Sequence, residues 1–576
     1  MKRTSLIFEF LIVMIGVALL LNFQKLNLTN IYFFIYIPLM IVTYGILTFP
    51  LKQVFLRRYV SYPLAFVLSI ITIGKALENS GIVFNSLTIV SIIISIIGLV
   101  LIFERTFQIL LQLSIAYNII GNRTGITWKH SFFLIFICWL LYLLPFLPGN
   151  VAGDGNFQLL EFFGHASMTN HHPFLSTVFQ GGIFNIGKVL VNDNFGLFLY
   201  VVVQLLICCL IYSFCISKVS KLGINKHLCI AFSLFVGLAP YWSFVSETFH
   251  KDGMFIAFFA LFITLLLLVI VDLLIDRENK ISTKQLVSLT ISGLLVCLWR
   301  NDGIYMVLPS IFCLIFVDKR HYWKQFTGVF LAICAVYIGF NKVLLPSLHV
   351  APTEKREALS LPVQQTARYL KEYPQDVTQH EKKVLADTFD NSTKLGTRYD
   401  PNIADPVKFY VKDRFNLKDY LEVWLQMGFR HPLVYITATF EGTNGYYTPW
   451  LQAQTFSWCA DISSWSKPDF LKLDYLTPRS LRSSVLKLVN GISSLPFINI
   501  LLSDSLAIWL CVLMGSFLWA KLGFQYLIPF IPIFMNLLIC IASPVNGLIR
   551  YSGCIVFATY CLLVYYFFAI KKLRQR

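Results

Sequence analysis

Residues Pro145 to Lys188 read PFLPGNVAGDGNFQLLEFFGHASMTNHHPFLSTVFQGGIFNIGK, a polar interruption in a chain otherwise built of long apolar runs. Pro145, Pro148 and Gly149 end one such run, and Asp154 then stands between two glycines, where the backbone turns sharply and a carboxylate can approach a ligand. A helix starting near Asp154 puts Gln158, Glu161 and His165 on one polar face. From Pro173 to Val191, Phe174, Val178, Phe179, Ile183, Ile186 and Leu190 alternate at helical spacing with Ser176, Thr177, Gln180, Asn185 and Lys188. This is the pattern of an amphipathic helix lying along a membrane surface.

The surrounding chain sets the class. Of 576 residues, 57% are hydrophobic and 13% charged, so a polytopic, all-α membrane protein is expected. Measured against the roughly 20 residues that cross a bilayer, apolar runs fall at 5–23, 31–50, 62–78, 86–103, 131–147, 195–216, 228–246, 254–275, 286–299, 303–317, 326–345, 503–520, 525–542 and 553–570. These predict about 14 transmembrane helices. The first has a basic start but no small-residue cleavage site after it, and reads as an uncleaved helix. The stretch 104–130 is expected to hold a surface helix.

Lysine and arginine collect in every second loop, including Lys52, Arg57 and Arg58, Lys218 and Lys221, Lys280 and Lys284, and Lys571 and Lys572. By the positive-inside rule both termini are expected in the cytoplasm and the Asp154 loop on the outer face of the plasma membrane. The polar segment 346–502 carries 18 Lys and Arg against 16 Asp and Glu, so nearly all of the net charge of +17 belongs to the membrane part and its loops. A nucleic-acid partner is not needed to explain it. Twelve of the thirteen cysteines lie in or beside apolar runs and Cys459 alone is in the polar segment, so no disulfide is expected.

Four outer loops thereby carry ionisable residues at helix ends: Asp154; Lys251 and Asp252; Arg300 and Asn301; and Arg550. An unpaired charge there costs on the order of 2 to 4 kcal/mol. Convergence on one site would offset that cost, whereas each pair taken alone is equally an ordinary interfacial anchor. The pair His171 and His172 reads first as a hydrogen-bond cluster at a helix start, because adjacent loop histidines point apart. For Asp154 a helix-capping role is the plain alternative to catalysis. The segment 346–502 reads as a mainly helical extracytoplasmic domain, with helices over 361–370 and 405–429 and an aromatic loop at Tyr446 to Trp450 and Trp458 to Trp465.

The Asp154 loop, followed by interfacial helices, the Lys251-Asp252 turn, the Arg300-Asn301 turn and a late polar domain, resembles the GT-C class of membrane glycosyltransferases. That resemblance covers 131–345. Through GDGNFQ, NHHPF, HKDG, WRNDG, LPVQQTARY and NIADPVKF the chain is also similar to an uncharacterised family of Gram-positive bacterial membrane proteins. The GT-C resemblance implies a polyprenyl-phosphate-linked sugar as donor and a cell-surface polymer, glycolipid or protein as acceptor. It implies Asp154 as general base, and Lys251, Arg300, Arg550, His171 and His172 at the donor phosphate. Gln158, Glu161, Asp252, Asn301, Gln364, Gln365 and Arg368 would contact the acceptor or support the site. The chain departs from that class in two ways. The catalytic loop follows the fifth helix, making residues 1–130 an N-terminal addition of four helices, and Asp154 stands alone where many relatives have two acids, so no metal is assigned. The expected organisation is then 1–130, a core of 131–345 with the catalytic loop at 148–194, the domain 346–502, and three last helices in 503–576. A lipid-linked-sugar transporter would want charges deep inside helices and a repeat relating its halves, and neither is visible. A non-catalytic surface scaffold is the third reading.

Overall fold

The computed structural model describes residues 2–23, 30–78, 86–117, 119–121, 125–276, 280–318, 321–449, 468–543 and 545–575. The aromatic loop from Trp450 to Trp465, with Cys459, lies outside them.

A helix occupies each of the fourteen apolar runs. The first fourteen helices in chain order are α1 (Lys2–Phe23), α2 (Asn30–Thr48), α3 (Arg58–Leu77), α4 (Ser86–Ala116), α5 (Trp128–Leu143), α6 (Gly153–Phe162), α7 (Phe174–Leu190), α8 (Asp193–Ser220), α9 (Lys226–Leu238), α10 (Pro240–Ser246), α11 (Lys251–Ile270), α12 (Thr283–Trp299), α13 (Gly303–Ile315) and α14 (Trp323–Gly339). The chain closes with Asp504–Leu522, Ile531–Ala542 and Ile549–Gln575. Among the described residues nine helices are long and apolar enough to cross a membrane, ten if α9 and α10 form one span bent by 56° at Pro240. The remaining apolar runs form shorter helices, α12 and α13 among them.

Local chemistry sets the helix starts. Asn192 and Asn225 accept backbone N–H bonds at the heads of α8 and α9, Ser282 and Gln285 form a reciprocal capping box at α12, and Pro240 occupies the first turn of α10, where it costs no hydrogen bond. The expected surface helix in 104–130 is instead an extension of α4 to Ala116. Gln108 and Gln112 on that extension satisfy the backbone of the loop at Pro50 to Leu56, for example Phe55 N–H to Gln108 Oε1 at 2.9 Å. This use of buried amides is invisible to a hydropathy window.

Packing divides the molecule into three cores. The largest joins α5 to α14 with the last three helices. A small satellite holds α1 to α4 together through Val13, Val17, Leu47, Ile73 and Leu99. The third is confined to the polar domain, where Val363, Tyr369, Leu385, Tyr420, Val423 and Met427 are buried. That domain is helical, as its composition predicts, but the helix expected over 405–429 is two: a turn at Asp405–Lys408, then Leu417–Arg430, started afresh by Asn416, which caps it.

A two-stranded parallel ladder ties the site together. β1 (Asn150–Val151) pairs with β2 (Thr248–Phe249), which brings the loop before Asp154 beside the one before Lys251. Buried Gln204 on α8 donates to the carbonyls of Ser246 and Thr248 at 2.9 and 2.8 Å and so holds the second loop to the bundle. Gly155 is required here, because a Cβ would overlap the Phe249 carbonyl oxygen.

Candidate functional site

Asp154 sits in the first turn of α6, but Ala152 is the capping residue and the Asp154 carboxylate makes no cap bond. It turns instead to cations from two distant spans. Lys251 Nζ, at the head of α11, donates to its Oδ2 at 2.7 Å, and the Arg550 guanidinium, at the head of the last helix, donates to the same oxygen. Arg550 Nε also donates to Asp252 Oδ2 at 2.5 Å. His250 caps α11, its Nδ1 accepting the Asp252 N–H at 3.0 Å, and its Nε2 lies 3.7 Å from Asp154. His172 Nδ1 lies 3.4 Å from Lys251 Nζ, with its ring stacked on Phe157.

Arg300 approaches from the end of α12. It pairs with Asp302 at 2.7 Å, packs against the rings of Phe255 and Tyr551, and is 8% exposed, yet its second terminal nitrogen has no protein partner. A buried guanidinium N–H is costly unless an acceptor meets it, so this face of Arg300 is suited to an anion. Asn301 does different work: its Nδ2 donates to the Asn170 carbonyl at 2.5 Å, and Asn170 in turn meets Asn341 and Thr353. It anchors the loop that carries His171 and His172.

Together these side chains line one cavity of about 620 Å³. Asp154, Lys251, Asp252, Arg300, Asn301 and Arg550 form its floor and sides, with His171 and His172. Its other wall comes from the polar domain, through Glu357, Asp405, Lys408 and Phe409. Lys408 is held by Glu357 at 3.0 Å and Asp405 at 2.9 Å.

The electrostatics follow from burial among opposed charges. Burial would raise the Asp154 pKa, but Arg550 and then Lys251 outweigh it and hold it well below the usual carboxylate range. Burial, reinforced by Lys251, pushes His172 down to about 2, and burial brings His250 to about 4 against the pull of Asp252. Both imidazoles are therefore neutral at physiological pH. Buried ion pairs of this kind add little net stability, so their assembly on four separate elements points to a site rather than a staple. No group of three or more His, Cys, Asp or Glu among the described residues could hold a metal ion. The Asp154 oxygen a divalent ion would need is already bracketed by two fixed cations.

Five residues expected to contact the acceptor or support the site do not line the cavity. Gln158 and Glu161 face α7 and the following loop, donating to Ser176 and Thr177 and accepting from Thr169. The polar face of α7 is thus buried against α6 and its apolar residues Val178, Ile186 and Leu190 are exposed. Gln364, Gln365 and Arg368 are fasteners inside the polar domain: Gln364 bonds Asp400, Gln365 bonds Thr439 and Trp424, and Arg368 pairs with Glu372 and Glu441. Their helix, Ser360–Glu372, touches the cavity only at its first residue and then leads away from it. Sequence reasoning missed His250, which lies behind the cavity against Asp154 and Asp252, and the domain wall of the cavity. For His250 the signal was its place directly before Lys251 and Asp252; for the wall there was none, because it is assembled from two turns about 50 residues apart.

The chain belongs to a family of unknown function (DUF6020), whose model matches residues 163–575. All the cavity cations fall inside the match, and Asp154 falls nine residues before it. No curated protein matches the chain. No solved structure matches it either.

Proposed function

We propose that the chain is a GT-C-like, inverting membrane glycosyltransferase that moves a sugar from a polyprenyl-phosphate donor to a hydroxyl-bearing acceptor on the outer face of the plasma membrane. The observation that carries this reading is the single cavity in which Asp154 meets Lys251 and Arg550, with Arg300 beside them and the polar domain as its far wall. In this reading the chain crosses the bilayer fourteen times and both termini are cytoplasmic.

The acceptor hydroxyl attacks the anomeric carbon, the bond from that carbon to the phosphate oxygen breaks, and the hydroxyl proton passes to Asp154. The polyprenyl phosphate leaves with a second negative charge, which Arg300, Arg550 and Lys251 offset. A donor phosphate also answers why Asp154 is so tightly paired without it. Arriving anion draws Lys251 and Arg550 away, and the carboxylate, still buried, becomes a stronger base at the moment it is needed.

The test is sugar release from a panel of polyprenyl-phosphate sugars by purified protein. Asp154→Asn keeps size and shape but cannot take the proton, so turnover should fall by about 100-fold or more with donor binding retained. Wild-type turnover by a folded Asp154→Asn protein removes Asp154 from the mechanism. Movement of an intact lipid-linked sugar across liposomes, without its consumption, makes the protein a transporter instead.

A further inference from the structure

At the opposite end of the bundle from Asp154, where α8 finishes and α11 and α12 flank it, three adjoining cavities of about 630, 810 and 420 Å³ open from one concavity. Lys221 lines all three, and Lys218 lines the first and third. One arm runs toward mid-bundle and is apolar, walled by Leu210, Ile211, Phe214, Leu261, Leu265 and Ile291. The other is polar and holds Lys284, with Lys129 and His130 at the rim. Trp128, 44% exposed, stands where the arms meet.

Lysines dominate the charge lining these cavities. Among the described residues Lys218, Lys221 and Lys284 form no ion pair; the Lys218 ammonium lies 5.1 Å from the Phe214 ring centre. Among the described residues the acids lining these cavities are Asp272, which accepts from Gln285 Nε2 at 2.6 Å, and Asp276, which pairs with Lys572 at 2.9 Å. Half-buried Lys218 and exposed Lys221 and Lys284 stand beside an apolar pocket, a combination that favours an anion whose own body is apolar. A free phosphate supplies the charge and leaves the arm empty. A zwitterionic headgroup brings its own cation against the lysines.

We propose that this concavity binds one anionic glycerophospholipid of the leaflet away from the Asp154 site, its phosphate among Lys218, Lys221 and Lys284 and an acyl chain in the arm beside Leu210, Leu261 and Ile291. This site is independent of the glycosyltransferase reading. Lysines that merely orient the chain in the membrane would attract negative surface without preferring a bound lipid; the structure instead places them around a pocket with an apolar limb lined by Leu210, Leu261 and Ile291.

Native mass spectrometry of the full-length protein, released from nanodiscs of equal phosphatidylglycerol and phosphatidylcholine with matched chains, tests the site. The wild type should retain phosphatidylglycerol over phosphatidylcholine by at least tenfold. The triple variant K218Q/K221Q/K284Q, which removes three basic contacts to the anionic headgroup, should lose that preference and retain the two lipids equally. K382Q/K383Q/K394Q, which removes three exposed charges from the polar domain, should keep it. Ile291→Trp, which fills the apolar arm and leaves every lysine in place, should also lose the lipid, so the result does not hang on the triple variant folding. Millimolar glycerol 3-phosphate should not displace it. Equal retention of the two lipids, an unchanged triple or Ile291→Trp variant, or displacement by glycerol 3-phosphate alone would overturn the proposal.

Discussion

Asp154 carries the sharpest chemical expectation because its charge state depends on who holds its partners. Its carboxyl is depressed in the ligand-free protein, so it is ionised wherever the pH exceeds that lowered value and protonates only well below 3.8. When a donor phosphate recruits Lys251 and Arg550, the lowering influences weaken and burial, which raises the pKa, remains. The acid limb of kcat, which reports the bound enzyme, should therefore lie at higher pH than that of kcat/KM, which reports the free one. Coincident limbs would mean that the cations never leave the carboxylate. Arg300 is separable from this: Arg300→Ala should weaken donor binding by about 10- to 100-fold, the loss of a charge-assisted hydrogen bond worth about 1.5 to 3 kcal/mol. Titration of the donor against the variant measures it. Asp154, Lys251, Arg300 and Arg550 were legible in the sequence because each is a charge at the edge of an apolar run, where lipid makes isolation costly. Gln364, Gln365 and Arg368 misled because a polar helix face shows that partners exist but not whether they are substrate or neighbouring helices. Here they are Asp400, Thr439, Trp424 and Glu441.

Two joints between elements set where those side chains meet. One is the β1–β2 ladder with Gly155 pressed against Phe249. Gly155→Ala should push α6 off β2 and abolish turnover even though every charged residue is intact, and a wild-type melting temperature with wild-type turnover would show that the joint has slack. The other is the loop before the last helix, which the polar domain grips through Asn546. Its Oδ1 accepts the Gly445 N–H at 2.8 Å, its Nδ2 donates to the Glu441 carbonyl at 2.8 Å, and its backbone N–H donates to Asn402 at 2.8 Å. Gly547 and Gly445 pack Cα to Cα beside it, at a spacing no side chain fits. Arg550 is four residues on, so the grip of the domain reaches the carboxylate. Asn546→Ala should cost about 2 kcal/mol, two half-buried hydrogen bonds, and raise the donor KM; Asn546→Asp, which keeps the acceptor for Gly445, should recover part of both. Thermal melts and donor titration would read the two effects, and a KM indifferent to both variants would detach the domain from the site. The positions of the helices were legible from apolar run length; these joints were not, since each depends on a glycine or a polar residue meeting a backbone more than 90 residues away in sequence.

Number and direction of crossings link the two ends of the bundle. α12 is only 17 residues, about 25 Å of helix at 1.5 Å per residue, short of the roughly 30 Å hydrocarbon core. Yet Ser282 and Lys284 at its start line the lysine-rich cavity and Arg300 at its end lines the Asp154 cavity, so it runs the whole distance between them. α11 does the same in the other direction, from Lys251 to Asp272 and Asp276. α11 with its continuation to Ile275 is 25 residues, about 37 Å of helix, so the two cavities are separated by about the thickness of a bilayer. By the positive-inside rule the basic residues at the far end, Lys221, Lys284, Lys521 and Lys571, predict that this end is cytoplasmic. Single cysteines at Thr353 and Lys418 should react with an impermeant maleimide in intact cells, while cysteines at Lys221, Lys284, Lys521 and Lys571 should react only after permeabilisation. The position of Lys284 is decisive: if it labels from the same side as Thr353, then α12 does not cross, Arg300 and Lys284 share one face, and the two cavities cannot open to opposite leaflets. If instead Thr353 and Lys418 label only after permeabilisation, the polar domain is cytoplasmic, the charge rule fails for this chain and the donor would have to be reached from the inner leaflet.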